Sequence, residues 1–91
     1  MKHATRQVTI PNLQGLHARP IAQISRLANE YESRLLIDME GLVVNGRSVL
    51  ELMTLCAPRG SALLLKAEGE DAEELVDRVA ALIEAGFGEE C

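Results

Sequence analysis

The chain has 91 residues, 47% of them apolar, and a formal net charge of −5. That length allows one hydrophobic core rather than two, and the apolar share is enough to fill it, which excludes wholesale disorder and implies one domain over 1–91. The acidic balance excludes a nucleic-acid surface, which draws on clustered Lys and Arg, and with only Tyr31 and Phe87 as aromatics the core must be aliphatic.

The opening "MKHATRQVTI" lacks the apolar segment of a secretory signal, and no apolar run reaches spanning length. The expectation is a cytoplasmic protein without membrane insertion. "RQVTI" alternates, putting Val8 and Ile10 on one face of a strand that ends in the turn-rich "PNLQG". From Pro20 the apolar residues Ile21, Ile24, Leu27, Ala28 and Tyr31 recur at helical spacing. "SRLLIDM" and "LVV" read as two strands of a hairpin about Glu40–Gly41. "NGRS" is a further turn, and Ser48 with Glu51 three residues on forms a capping box that opens a short helix, "VLELMTL". Pro58 and Gly60 in "APRG" end it. "SALLLKAEG" is the fourth strand. Asp71 then offers an N-cap with Glu74 as its box partner, and Leu75, Val76, Val79, Leu82 and Ile83 line one face of a last helix that closes at Gly86.

The order is therefore βαββαβα. Half-buried alternating strands need only one covered face, which suits a two-layer, open-faced α/β (α+β) sandwich: an antiparallel sheet with all helices on one side.

Most chemistry-bearing residues here have a structural explanation. Asp71 reads as a cap. His3 lies in the approach to the first strand, and with no third ligand near either histidine a metal site is not expected. Cys56 and Cys91 lack CxxC spacing; Cys56 reads as a buried free thiol and Cys91 as a terminal one.

"GLHARP", Gly15 to Pro20, is different. If the helix starts just after His17, that residue is the N-cap, and the amides of Ala18 and Arg19 have no intrahelical partner. They are free to donate to an anion where the helix dipole favours negative charge. Arg19 adds a permanent cation suited to phosphate oxygens, Pro20 stiffens the first turn, and Gly15 lets the loop turn sharply. His17 is a candidate nucleophile within this anion site, and the alternative is a histidine that merely caps a helix. Ser48 is read first as a cap and second as a phosphorylation site, with Glu51 one turn in opposing a phosphate there. On the short helix Leu52 and Leu55 can face the core, leaving Val49, Leu50 and Met53 partly outward as an apolar partner patch; the alternative is a short helix that is fully buried.

"GLHARP", followed by "GRSVLELMTL" and "AEGEDAEELVDRVAALIEAGF", resembles the HPr family, the histidine phosphocarriers of the bacterial phosphoenolpyruvate-dependent phosphotransferase system. The resemblance spans essentially the whole chain. It implies a four-stranded antiparallel sheet covered on one face by three helices. It implies that His17 takes a phosphoryl group from phospho-enzyme I on Nδ1 and passes it to a histidine of an enzyme IIA domain, with Arg19 steadying the group. Val49, Leu50 and Met53 would then meet apolar partner surface, with Arg26 and Arg47 adding positive charge near the rim. No cofactor is implied, phosphoenolpyruvate and Mg²⁺ being used upstream by enzyme I, and the carrier is expected as a monomer. Ser48 falls where many relatives carry a serine phosphorylated by HPr kinase/phosphorylase, although Glu51 stands where many of those carry glycine or lysine. The "GFGEE" ending and acidic balance are also similar to the nitrogen-branch relative NPr, which leaves sugar uptake and nitrogen-branch regulation as alternatives. A non-phosphorylated regulatory adaptor and a small-molecule-binding sandwich are readings from other classes.

Overall fold

The computed structural model describes residues 2–91. Side-chain alternation in the strands decides its layering. The elements run β1 (His3–Thr9), α1 (Ala18–Ala28), β2 (Arg34–Met39), β3 (Leu42–Asn45), α2 (Val49–Met53), β4 (Ala62–Glu68) and α3 (Ala72–Glu84), with a 3₁₀ turn over Gly86–Gly88. This is the expected order, plus one short closing turn. The strands form a single sheet in the order β1-β4-β2-β3, antiparallel at every pairing.

β4 lies between β1 and β2, so Leu65 sits opposite Arg6 on one side and Ile37 on the other. Leu63, Leu65 and Ala67 alternate with Leu64, Lys66 and Glu68, and only the first set is buried. Leu35 and Ile37 of β2 and Val44 of β3 continue that inner face. Onto it pack Ile21, Ile24 and Ala28 of α1 and Leu75, Val76, Val79, Ala80 and Ile83 of α3. Burying each Leu or Ile side chain contributes roughly 1.5–3 kcal/mol, which is how an almost purely aliphatic core suffices.

The β2–β3 hairpin follows from two residues. Glu40 (φ 50) and Gly41 (φ 94) both take left-handed conformations, as a two-residue turn matched to strand twist requires. The Asp38 carboxylate accepts the Gly41 amide at 2.9 Å and holds the turn closed.

Three sequence expectations need correction. His3 lies within β1, not ahead of it, and its Nδ1 is 3.4 Å from Glu68. Cys56 is exposed, because the chain turns there through a left-handed conformation (φ 47) that carries the thiol away from the core. Asp71 occupies the N-cap position of α3, yet its side chain makes no cap bond. Its carboxylate instead accepts the Ser33 hydroxyl and the amides of Ser33 (2.9 Å) and Glu32 (3.1 Å), tying the entry of β2 to the start of α3. Glu74 likewise leaves the box and accepts the Tyr31 hydroxyl at 2.7 Å, while Arg78 donates to the same oxygen at 2.8 Å. Tertiary partners have outbid local ones at both positions.

The Ser33 hydroxyl and the two backbone amides hold the Asp71 carboxyl below the usual carboxylate range, against an opposing push from burial. A depressed carboxyl contributes stability that is present above its unfolded value and is lost as pH falls through its folded one. Asp71→Ala should therefore lower the urea midpoint at neutral pH, and the gap from wild type should close on acidification through that range. A gap that stays constant with pH would remove the Asp71 charge from the fold's stability.

Candidate functional site

The site is built where the β1–α1 loop meets the end of the chain. Ile10 anchors the loop at its start, fully buried, with its amide on Ser61 (2.9 Å) and its carbonyl accepting Gly60 (2.8 Å). Further along, the Leu16 amide donates to the Ala57 carbonyl at 2.8 Å, and the buried Leu16 side chain fixes that contact. Gly15 makes the approach possible. Its φ is +69°, and a Cβ there would stand 2.6 Å from the Ala57 oxygen.

His17 follows as the N-cap of α1, with extended backbone (φ −93, ψ −170), and its carbonyl accepts the Ile21 amide at 3.1 Å. Ala18, Arg19 and Pro20 are then the first three helical residues. Pro20 has no N–H and is buried, so the first turn offers the amides of Ala18 and Arg19, both on exposed residues, as its unmatched donors. The imidazole makes no cap bond to the helix. Its role is not that of a substitute for serine.

What engages the ring is Glu89. Both carboxylate oxygens lie 2.9 Å from His17 Nε2. The histidine side chain is 34% exposed and the glutamate only 14%. Nothing in the sequence pattern points to this pair; "GFGEE" shows its cause only in three dimensions. Gly86, Phe87 and Gly88 all have positive φ (70, 58 and 76), turning the chain back towards the loop, while the buried Phe87 ring fastens the turn to the core. The Leu13 amide then donates to the Glu90 carbonyl at 2.9 Å. Asn12, fully buried, donates its amide nitrogen to the Gly15 carbonyl (2.7 Å) and to Glu89 Oε1 (3.0 Å). Both partners are acceptors, so the amide can face them in one orientation only.

Contact with His17 is the largest influence holding the Glu89 carboxyl below its ordinary range; Asn12 and the charges of His17 and Arg19 act in the same direction, and burial opposes them. An ionised carboxylate accepts a hydrogen bond from Nε2–H, and in a neutral ring that leaves Nδ1 with the lone pair. The ring thus sits between the positive field of a helix start and the negative charge of Glu89. Leu13, Gln14, Arg19 and Glu90 border the open cleft around the pair. Leu13 is 54% exposed, an apolar rim residue that periodicity did not single out.

The other sequence candidates lie on the neighbouring helices. Ser48 is the N-cap of α2, where its Oγ accepts the Glu51 amide at 3.2 Å. The reciprocal half of the box is missing, since the Glu51 carboxylate accepts the Asn45 amide instead (2.9 Å). Leu52 and Leu55 are buried as expected, and Val49, Leu50 and Met53 are exposed, Leu50 by 78%. α2 packs against α1. Arg26 is exposed in the last turn of α1, and Arg47 lies at the junction, its Nε donating to Asn29 (3.2 Å) and its carbonyl accepting Ser25 Oγ (2.8 Å). Among the described residues no three His, Cys, Asp or Glu side chains converge as a metal site, and no helix is long and apolar enough to cross a membrane.

These features define a class: a small open-faced sandwich that presents a partly exposed histidine at the start of a helix whose first amides are unmatched. Comparison with known proteins names it. A family model described as "PTS HPr component phosphorylation site" matches residues 4–85. The chain is 38% identical over 84 residues to the phosphocarrier protein HPr of Cupriavidus necator, covering 92% of this chain and 94% of that one. It is 35% identical over 86 residues to the phosphocarrier protein NPr of Proteus mirabilis, covering 93% and 96%. The crystal structure of HPr-C-His from Thermoanaerobacter tengcongensis matches with a TM-score of 0.89 at 37% identity, covering 100% of both chains. The chain belongs to the HPr family of phosphotransferase-system phosphocarriers. Glu89 lies beyond the residues that the family model matches.

The close approach at Gly15 gives a direct test of how the loop is held. Gly15→Ala combines a left-handed conformation, which costs about 1–3 kcal/mol for a non-glycine residue, with a collision against backbone that cannot retreat cheaply. The denaturation midpoint should fall accordingly. Gly60→Ala, where φ is +91° but nothing lies within 4 Å, should lose only the conformational part.

Proposed function

We propose that His17 is the carrier residue: Nδ1 accepts a phosphoryl group from phospho-enzyme I, itself charged by phosphoenolpyruvate and Mg²⁺, and hands it to a histidine of an enzyme IIA domain. The observation that carries the reading is the placement of this ring. Nε2 is occupied by Glu89, so the nitrogen with a lone pair is Nδ1, on a residue that immediately precedes two unmatched amides and Arg19. An incoming phosphoryl group would meet those amides and the guanidinium, which suit its equatorial oxygens. The protein itself contributes positioning and charge, as phosphoryl transfer mainly requires.

The same reading assigns the exposed Val49, Leu50 and Met53, beside α1, to partner docking, with Leu13 as a further apolar contact at the cleft and Arg26 and Arg47 supplying positive charge. Enzyme I and enzyme IIA would use this one surface in turn, which requires an interface that forms and dissolves quickly. Kinase-linked phosphorylation of Ser48 is a separate matter, and the geometry weighs against it. The hydroxyl already caps α2, and the Glu51 carboxylate sits within the same turn. Sugar uptake and nitrogen-branch regulation share every step up to the identity of the acceptor. Offering phosphorylated protein to enzyme IIA domains of each kind separates them by which is charged faster.

The primary experiment mixes the protein with enzyme I, phosphoenolpyruvate and Mg²⁺. Wild type should gain an acid-labile, base-stable phosphoryl group, and folded His17→Ala should gain none. Arg19→Ala should fold and accept more slowly by roughly one to two orders of magnitude, as expected if a charge-assisted contact of about 1.5–3 kcal/mol is lost in the transition state. No phosphoryl group on folded wild type, with enzyme I shown active, would reduce His17 to a helix cap and favour the adaptor reading.

A further inference from the structure

We propose that Glu89 is the positioning residue of this carrier: its carboxylate fixes the His17 ring through Nε2–H, presents Nδ1 to phosphorus and balances the charge that the ring acquires while it holds the phosphoryl group. This rests on the phosphocarrier reading above and deepens it. Four observations carry it. Both Glu89 oxygens are 2.9 Å from Nε2, so small rotations of the carboxylate keep the contact. Asn12, buried and already committed to the Gly15 carbonyl, orients the carboxylate by donating to Oε1 at 3.0 Å. The Glu90 carbonyl is tied to the Leu13 amide, so the tail is fixed on the far side of Glu89 as well. Finally, Phe87 is buried in a left-handed conformation, a backbone state that a bulky residue adopts only when its surroundings require it.

The chemistry closes without any proton leaving the site. The Nδ1 lone pair attacks phosphorus, the bond from phosphorus to the donor nitrogen breaks, and its electron pair returns to that nitrogen. Nε2 keeps its proton, so the ring becomes a phospho-imidazolium whose positive charge lies against the Glu89 carboxylate. On delivery the Nδ1–P bond breaks, its electron pair returns to Nδ1, and the neutral ring is restored with the same nitrogen free. A fixed carboxylate thus removes the need to select a tautomer before each transfer. Two other charged groups border the cleft, and they act differently: Arg19 is exposed and placed for the phosphoryl oxygens, while Glu90 is exposed and is held through its backbone.

The test uses the full chain with two readouts on wild type, Glu89→Ala, Glu89→Gln and Glu89→Asp. Nitrogen NMR of the imidazole, at a pH where the ring is neutral, reports the tautomer. Enzyme I-dependent phosphorylation reports the rate of acceptance. Wild type should show the Nε2–H tautomer. Glu89→Ala should give a mixed tautomer population and accept phosphate on the order of ten- to a hundredfold more slowly, with most of the loss in kcat rather than KM. Glu89→Gln can still accept Nε2–H through its carbonyl oxygen, so it should keep the tautomer yet remain slow for want of charge. Glu89→Asp should recover part of both. An Nδ1–H tautomer in wild type, or Glu89→Ala that matches wild type in spectrum and rate, overturns the inference while leaving the phosphocarrier reading standing. Wild type that takes no phosphate overturns both.

Discussion

The site depends on how the loop between β1 and α1 is held from outside itself. Backbone hydrogen bonds bind Ile10 to Gly60 and Ser61, Leu16 to Ala57, and Leu13 to Glu90. Two segments distant in sequence therefore fix a loop that carries no regular structure of its own. That is what allows His17 to be both partly exposed and definite in position. A loop tied only at its ends would have to be ordered at each encounter with a partner. The tie also sets the direction of α1, since Gly15 and Leu16 are immobilised just before the helix begins.

Such an arrangement is not free of cost. Asn12 is fully buried, and its Oδ1 has no hydrogen-bond partner among the described residues. An unsatisfied buried acceptor costs about 1–3 kcal/mol, and the left-handed Phe87 adds strain of a similar order. Both penalties fall on residues that bring the tail to the histidine, and Phe87 also fills part of the core that begins at Val8. Strain gathered around one side chain is the pattern expected where geometry has been kept for function over stability.

Much of this was legible from the chain alone. Strand alternation and helical periodicity gave the element order, and "GLHARP" gave the helix start and its unmatched amides, because those properties are local. On the short helix the pattern allowed either an outward patch or full burial, and the structure exposes Val49, Leu50 and Met53 while burying Leu52 and Leu55. The failures share one physical cause. Asp71 and Glu74 look like a capping box in sequence, but Ser33 and Tyr31 lie close enough in space to take their carboxylates. Cys56 looks like a core thiol until the left-handed turn at that residue is known. Glu89 was invisible for the strongest form of this reason. It meets His17 from 72 positions away, through a glycine-flanked turn whose direction no periodicity encodes.

The two charged neighbours of the ring divide their work by exposure. Arg19 is solvent-exposed, so in the proposed transfer its attraction for a phosphoryl group would be screened and modest. Glu89 is mostly buried, fixed by Asn12, and touches the ring. If the exposures were exchanged, a buried guanidinium would bind the phosphoryl group too tightly to release it, while a mobile carboxylate would let the ring turn between transfers. A carrier has to sit near the middle of the free-energy drop between its donor and its acceptor. Under the proposed function, weak grip on the cargo combined with firm grip on the ring would meet that requirement in both directions of transfer.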